Sequence, residues 1–191
     1  MGHLLELFLS TVLTNNIALV FILGMCPLIA ISTNVKNAAG MGVAVVLVVT
    51  LTAAINYPMY LLLKALKIEF ISLLVFIILI AAVVQLLEIF LDKYFPKLYN
   101  AFGIFLPLIT VNCVVLAVSL FFVNRGYNFG ETVSFSFGAG VGWMLAIVLV
   151  AGLREKMAKI SNPPRGLKGK AIVFVVLGIL ALAFMGFTGL V

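Results

Sequence analysis

Cys26 and Cys113 are the two cysteines of this chain, and their thiols are the side chains best suited to hold a metal. Each lies beside a predicted interruption of an apolar helix. An iron–sulfur cluster takes four thiolates, so these two would form half of a ligand set, and a related partner protein could donate the rest. A disulfide is not expected at membrane depth. Cysteine is also common inside membranes as a small apolar residue, so simple packing is the alternative.

Four polar residues lie where an apolar environment makes them costly. Asn15, Asn16 and Asn112 fall inside hydrophobic segments, and an amide that faces lipid is unfavourable there. They can bond to backbone groups that a helix break has freed, or they can line a path for ions or electrons, and the residue types leave both open. Glu88 lies about one helical turn before the predicted end of its segment. It either pairs with Lys93 at the membrane surface or relays a cation.

The segments that carry these residues are far more apolar than those of a soluble protein. Of the 191 residues, 65% are hydrophobic and 9% are charged, whereas a soluble domain carries roughly 25% charged residues. Six segments approach the ~20 apolar residues that a bilayer crossing requires. The predicted spans are residues 4–32, 38–63, 70–91, 99–123, 132–153 and 170–190. We therefore predict an all-α integral membrane protein that forms a single membrane domain over residues 1–191.

The basic residues predict the orientation of these spans. Nine lysines and arginines fall in the first, third and fifth loops, and three fall in the second and fourth. Because such residues concentrate in cytoplasmic loops, the first set is predicted to be cytoplasmic and both termini to lie outside. The net charge of +6 is thus explained by topology and does not indicate nucleic-acid binding. The basic stretch at residues 154–170 is either a docking surface for a partner protein or an ordinary topology-setting loop.

Two motifs recur in the second half of the chain. CPLIAIS at residues 26–32 resembles CVVLAVS at residues 113–119, a separation of 87 positions. AGMGVA at residues 39–44 resembles FGAGVG at residues 137–142, a separation of 98 positions. The order of the motifs is the same, which indicates a duplication, although chance similarity between apolar helices is the alternative. Each copy has an odd number of spans, so the second copy would be inverted in the membrane.

The predicted repeats cover residues 4–91 and 99–190, and their first helices have matching features. Gly24 and Pro27 interrupt the first span, and Gly103 and Pro107 interrupt the fourth. Proline removes a backbone donor and clashes with the preceding turn, and glycine weakens a helix. We therefore predict two inverted three-helix repeats whose first and fourth helices are discontinuous. Broken helices at corresponding positions of inverted repeats often mark a transport site.

Several stretches resemble one known family. They are residues 15–16 and 23–26, 98–113, 142–147 and 154–157, 164–169 and 184–189. Together they are similar to the E subunit of the sodium-translocating NADH:quinone oxidoreductase (Nqr) and to the A subunit of the related Rnf complex. The resemblance covers essentially the whole chain. Residues 92–96 and 143–144 are of the Nqr type, whereas Asn15-Asn16, Cys26-Pro27 and the short second loop are of the Rnf type.

The resemblance implies a cofactor and a partner. Members of this family pair in antiparallel fashion with a homologous membrane protein, the D subunit of Nqr or the E subunit of Rnf. Two cysteines from each hold an iron–sulfur centre within the membrane. Carried over to this sequence, Cys26 and Cys113 are ligands of a shared [2Fe-2S] cluster. The expected location is the cytoplasmic (inner) membrane of a bacterium or archaeon, in contact with lipid and with the other subunits of the complex.

Three functions follow as hypotheses. The first is a non-autonomous subunit of an ion-translocating oxidoreductase, which carries electrons across the membrane and couples this to Na⁺ or H⁺ transport. Its overall reaction would be NADH:quinone in an Nqr complex and ferredoxin:NAD⁺ in an Rnf complex. The second is a stand-alone carrier with inverted repeats, in which the cysteines only pack. The third is a structural subunit that scaffolds redox partners.

Overall fold

The computed structural model describes residues 2–94, 112–160 and 170–186. Within these ranges the regular structure is helical, in agreement with the predicted all-α membrane protein. Gly103, Pro107 and most of the basic loop at residues 154–170 lie outside the described residues. The predicted break in the fourth span and the predicted role of the basic loop therefore stay predictions.

Eight α-helices are described, and we number them in chain order. They are α1 (Gly2–Leu9), α2 (Ile17–Val20), α3 (Met25–Ile31), α4 (Val35–Ala65), α5 (Ser72–Tyr94), α6 (Cys113–Arg125), α7 (Phe129–Ile160) and α8 (Lys170–Met185). A π-helical turn, Ser10–Thr14, joins α1 to α2, and a short 3₁₀ turn, Glu69–Ile71, precedes α5.

Three of the described helices are long and apolar enough to cross a membrane. They are Val35–Ala65, Ser72–Phe90 and Phe129–Lys159, which coincide with the second, third and fifth predicted spans. The fourth and sixth predicted spans are represented by the shorter apolar helices Cys113–Arg125 and Ala171–Met185. The described residues thus contain three spanning helices, or up to four if the bent first segment is one span.

The first predicted span is discontinuous, as the sequence indicates. Its two parts, Leu4–Val20 and Met25–Ile31, are bent by 81° at the break. Gly24 adopts φ of +78°, a left-handed conformation that glycine tolerates without a side-chain clash. Ile22 also has a positive φ of 55°, which is strained for a β-branched residue. Pro27 lies in the first turn of α3, where its missing N–H is not needed, so the glycine marks the break and the proline starts the next helix.

The centre of the molecule is the antiparallel pair α4 and α7. A Cβ atom on Gly42 would collide with the side chain of Met144, and one on Gly140 would lie 2.9 Å from the Cα of Val46. The two contacts run in opposite chain directions, which makes the helices antiparallel. Small residues let membrane helices approach closely, and the glycine motifs serve that purpose here. Trp143, fully buried, lies in the same core.

Candidate functional site

The break in the first span meets the start of α6. The backbone N–H of Gly24 donates a hydrogen bond to the Sγ of Cys113, with a nitrogen–sulfur distance of 2.9 Å. Cys26 follows Gly24 by two residues, so its Cα is at most about 7 Å from that of Gly24. Two cysteines that are far apart in sequence are therefore placed at one junction between the halves of the chain.

Both cysteines lie in the first turn of a helix. Cys26 is the second residue of α3, and Cys113 is the first residue of α6. Backbone N–H groups of a first turn have no acceptor within their own helix, so they can donate to a sulfur or another anionic group nearby. The Cys26 side chain is exposed and that of Cys113 is partly exposed. Thiols from a second protein could therefore reach the pair.

The described residues offer two thiols at this junction and no fuller metal site. Over residues 2–94, 112–160 and 170–186, no group of three or more histidine, cysteine, aspartate or glutamate side chains could hold a metal ion. A four-thiolate iron–sulfur centre would thus need two ligands from outside the described residues. Because Cys26 is exposed and Cys113 already accepts an amide hydrogen bond, the residues present fit half of such a centre.

Asn16 and Asn112 bond to backbone groups at helix starts. The Oδ1 of Asn16 accepts from the N–H of Ala18 at 3.0 Å, and that of Asn112 accepts from the N–H of Val114 at 3.2 Å. The Nδ2 of Asn16 also donates to the carbonyl of Gly142 at 2.8 Å, which ties the first segment to α7. Both residues are N-caps, so the first of the two predicted alternatives is observed. An additional role in an ion or electron path stays a prediction.

Asn15 and Glu88 make no hydrogen bond to either cysteine in the part of the chain that the structure describes. The Nδ2 of Asn15 donates to the Oγ of Ser10 at 3.2 Å, at the start of the π-helical turn that Asn15 follows. Glu88 is partly buried on α5, a helix that packs against α4 and α6. A role for Asn15 in an ion path and for Glu88 as a cation relay both stay predictions.

Trp143 is a site residue that the sequence pattern does not reveal. Its side chain is fully buried, and its indole Nε1 has no hydrogen-bond partner among the described residues. A Cβ on Gly24 would collide with this nitrogen and would lie 2.6 Å from a methyl carbon of Val114. Trp143 therefore fixes the path of the chain just before Cys26. It is the one tryptophan of the sequence, and that rarity is the signal that could have singled it out.

The whole chain matches a family of membrane proteins. A profile described as "Rnf-Nqr subunit, membrane protein" matches residues 4–191. The matched range includes both cysteines, all three asparagines considered above and Glu88. The family resemblance derived from the sequence is thereby confirmed.

Individual relatives are similar to this chain over their full length. One from Neisseria meningitidis serogroup C, named as the E subunit of a Na(+)-translocating NADH-quinone reductase, is 50% identical over 196 residues, covering 100% of this chain and 99% of the relative. A relative of the same name from Maridesulfovibrio salexigens is 50% identical over 201 residues, with the same coverage. Another from Klebsiella pneumoniae is 49% identical over 196 residues, covering 99% of this chain and 98% of the relative.

Proposed function

The chain belongs to the Rnf-Nqr family of membrane subunits, and we propose that it is the E subunit of a sodium-translocating NADH:quinone reductase. The support is identity of 50% to two proteins of that name, over nearly the whole of both chains. The sequence has features of both family branches, and these relatives favour the Nqr branch and Na⁺ as the transported ion. The chain would act within its complex and not as an enzyme by itself.

Within that complex, Cys26 and Cys113 would be two of the four thiolate ligands of a [2Fe-2S] cluster. A homologous partner, the D subunit of Nqr, would supply the other two. The observation that carries this proposal is the hydrogen bond from the Gly24 N–H to the Sγ of Cys113, which joins the two cysteine-bearing segments. When bound, such a cluster supplies one-electron transfer at membrane depth. The chain's own part is to present two thiols and to donate amide hydrogen bonds to sulfur, which tune a reduction potential.

We propose further that the chain has six spans in two inverted repeats. The contact between Gly42 and Met144 has a counterpart in the contact between Gly140 and Val46. Each residue of the second pair is 98 positions from its equivalent in the first, which is the separation of the two glycine motifs. A twofold axis that relates α4 to α7 would convert one of these two contacts into the other. The cysteine junction would then lie where the two repeats meet.

The family and the charge distribution support a proposal for the position of the chain in the cell. We place the chain in the cytoplasmic (inner) membrane of a bacterium or archaeon, with both termini outside. In the structure, Arg154 reaches the end of α3, and Lys36 lies in the first turn of α4, so basic residues of the first and fifth loops gather at one end. That end would be cytoplasmic by the excess of positive charge.

Complementation tests the proposed function. A bacterium that lacks the E subunit of its own Nqr complex is supplied with this chain, and its membrane vesicles are assayed for NADH-dependent quinone reduction and for ²²Na⁺ uptake. We expect the chain to restore both activities and Cys26→Ala to abolish both. Met25→Ala, which alters the neighbouring residue, is the matched control and should retain both. Quinone reduction that persists in the Cys26→Ala, Cys113→Ala double variant would contradict an electron-carrying role.

The carrier hypothesis makes the opposite prediction. Purified chain in liposomes, without other subunits, would transport an ion or solute only if it were a stand-alone carrier. We expect no ²²Na⁺ uptake by the chain alone. Uptake at a rate comparable to that of the full complex would favour the carrier and would overturn the proposal that this chain acts only within a complex.

A further inference from the structure

Two buried serines join the cysteine-bearing helices to the central pair. Ser32 is the C-cap that follows α3 and is fully buried, and its Oγ accepts a hydrogen bond from the Nη1 of Arg154 at 2.8 Å. The same nitrogen donates to the carbonyl of Ile29 at 3.2 Å. The guanidinium of Arg154 therefore lies at the C-terminal end of α3, where free carbonyls and the helix dipole favour a cation.

Ser119 has a corresponding contact on α6. Its Oγ accepts a hydrogen bond from the Nδ2 of Asn56 at 2.9 Å and donates to the carbonyl of Val115 at 3.1 Å. Asn56 is 0% and Ser119 is 1% exposed, so this contact lies entirely within the protein. The neutral amide of Asn56 on α4 thus donates to a buried serine of α6, as the guanidinium of Arg154 on α7 donates to the buried serine that follows α3.

The two contacts are equivalent under the proposed repeat. Ser32 and Ser119 are the last residues of the two cysteine motifs, 87 positions apart. Asn56 and Arg154 are 98 positions apart, the separation of the glycine motifs. Each contact crosses from the cysteine helix of one repeat to the long helix of the other. Sequence similarity does not reveal the pair, because one member is a charged residue and the other is not.

We propose that Arg154 and Asn56 are positioning residues, which hold the Cys26 and Cys113 helices at the junction through Ser32 and Ser119. Each serine follows its cysteine by six positions, which corresponds to about 9 Å along a helix. A helix that loses its serine contact is free to tilt, and the cysteine six positions before that serine moves with it. This holding role does not depend on the proposed cluster, whereas the effect on a reduction potential described below rests on it.

The two serine contacts differ in strength and in charge. Hydrogen bonds from a charged donor are roughly twice as strong as neutral ones, so α3 is held more firmly than α6. Arg154 also places a positive charge at the end of the Cys26 helix, whereas Asn56 brings no charge to the Cys113 helix. A cation stabilises a nearby site that gains negative charge on reduction, because the attraction is weakly screened in a low-dielectric region. The asymmetry thus gives Arg154 an electrostatic effect that Asn56 lacks.

Thiol cross-linking in the complex tests the holding role. The purified complex is treated with an iron chelator and then with a short dithiol-reactive cross-linker that joins Cys26 to Cys113. We expect a cross-linking yield several-fold lower in Arg154→Gln and in Asn56→Ala than in wild type, and restored in Arg154→Lys. Lys156→Gln, which removes an exposed charge from the same helix, should match wild type. Unchanged yields in both Arg154→Gln and Asn56→Ala would overturn the proposal.

A redox titration tests the asymmetry. The EPR signal of the complex is followed against potential for the same variants. We expect the midpoint potential to fall in Arg154→Gln, to stay near wild type in Arg154→Lys, and to change less in Asn56→Ala than in Arg154→Gln. An equal shift in Arg154→Gln and Asn56→Ala would overturn the electrostatic part. Absence of any cluster signal from wild type would count against the proposed cofactor, while the cross-linking yield would still decide the holding role.

Misassembly is separated from these effects by measuring the complex itself. Each variant is checked for co-purification of its partner subunits before the thiols are probed. If Arg154→Gln fails to assemble, Ser32→Ala is probed in its place, because it removes the Arg154–Ser32 hydrogen bond and leaves the one to the Ile29 carbonyl. We expect its cross-linking yield to fall and its midpoint potential to change less than in Arg154→Gln, because the charge of Arg154 is kept. A wild-type yield in Ser32→Ala would overturn the role of Ser32 in holding the Cys26 helix.

Discussion

The amide nitrogen of Gly24 lies 2.9 Å from the sulfur of Cys113 and donates a hydrogen bond to it. This contact spans 89 positions of sequence and joins the break of the first segment to the first residue of α6. It places a backbone donor at a sulfur before any cofactor is considered. The contact fixes the position of the Cys113 sulfur relative to the break, and Gly24 supplies the donor.

Replacing Gly24 by alanine should disrupt the junction. Alanine would be strained at φ of +78°, and its Cβ would collide with Trp143 and Val114. We expect Gly24→Ala to lower the stability of the complex by about 1–3 kcal/mol and to reduce Cys26–Cys113 cross-linking. Thermal unfolding in detergent measures the first effect.

Gly152→Ala is the matched control for Gly24→Ala. Gly152 lies within α7, and among the described residues no atom beyond its own stretch of helix lies within 4 Å of the position its Cβ would take. Alanine there should leave stability unchanged or raise it by about 0.5–1 kcal/mol, because glycine weakens a helix. If both variants behaved alike, the steric account of Gly24 would be wrong.

The glycines of α4 and α7 should differ in their tolerance of alanine. A Cβ on Gly140 meets the backbone of Val46 at 2.9 Å, whereas one on Gly42 first meets the side chain of Met144. A change of rotamer moves the Met144 side chain beyond its Cβ, which would stay 3.0 Å from the new atom, whereas nothing but a helix shift relieves the contact at Gly140. We expect a loss of about 1–3 kcal/mol for Gly140→Ala and a smaller one for Gly42→Ala. Equal losses in thermal unfolding would contradict this packing, and Gly178→Ala, which has open space, serves as reference.

The asparagine caps should contribute unequally to stability. Asn16 makes three hydrogen bonds to backbone groups of Ala18, Val12 and Gly142. We expect Asn16→Leu to cost about 2–4 kcal/mol, since it removes a cap and two hydrogen bonds to buried carbonyls. Thermal unfolding of the complex in detergent measures this loss.

Asn112→Leu should cost less than Asn16→Leu in the same measurement. The Oδ1 of Asn112 accepts one cap bond, and its Nδ2 has no partner among the described residues. The expected loss is about 1 kcal/mol. Asn34 precedes α4 without a side-chain cap bond, so Asn34→Ala is a control that should have no effect. A larger loss for Asn112→Leu than for Asn16→Leu would contradict this ranking of the two caps.

Hydropathy and motif spacing predicted the local features of this fold. The apolar segments predicted the second, third and fifth spans, which the structure contains as Val35–Ala65, Ser72–Phe90 and Phe129–Lys159. Gly24 marked the break in the first span, because a glycine with a proline three residues later is hard to place within a continuous helix. These features depend on residues that are close together in the sequence, so a linear pattern suffices to find them.

Contacts between distant residues were not predictable in the same way. Arg154 is one of nine basic residues in the predicted cytoplasmic loops, and its charge alone indicates only that it helps to set the orientation of the spans. Only the tertiary structure shows that it donates to Ser32, 122 positions away. The caps formed by Asn16 and Asn112 were one of two predicted alternatives, since an amide in an apolar segment can either bond to free backbone groups or line a path for ions or electrons. Trp143 gave no periodic signal at all, because a buried aromatic is ordinary in a membrane helix.

The most direct test of this account is low-temperature EPR of the reduced complex, purified with its partner subunits, in wild type and in Cys26→Ser and Cys113→Ser. We predict a [2Fe-2S] signal in wild type and in Met25→Ala, and its loss in each cysteine variant with the complex still assembled. A cluster signal of unchanged shape and intensity in both cysteine variants would contradict the assignment of these two thiols as its ligands.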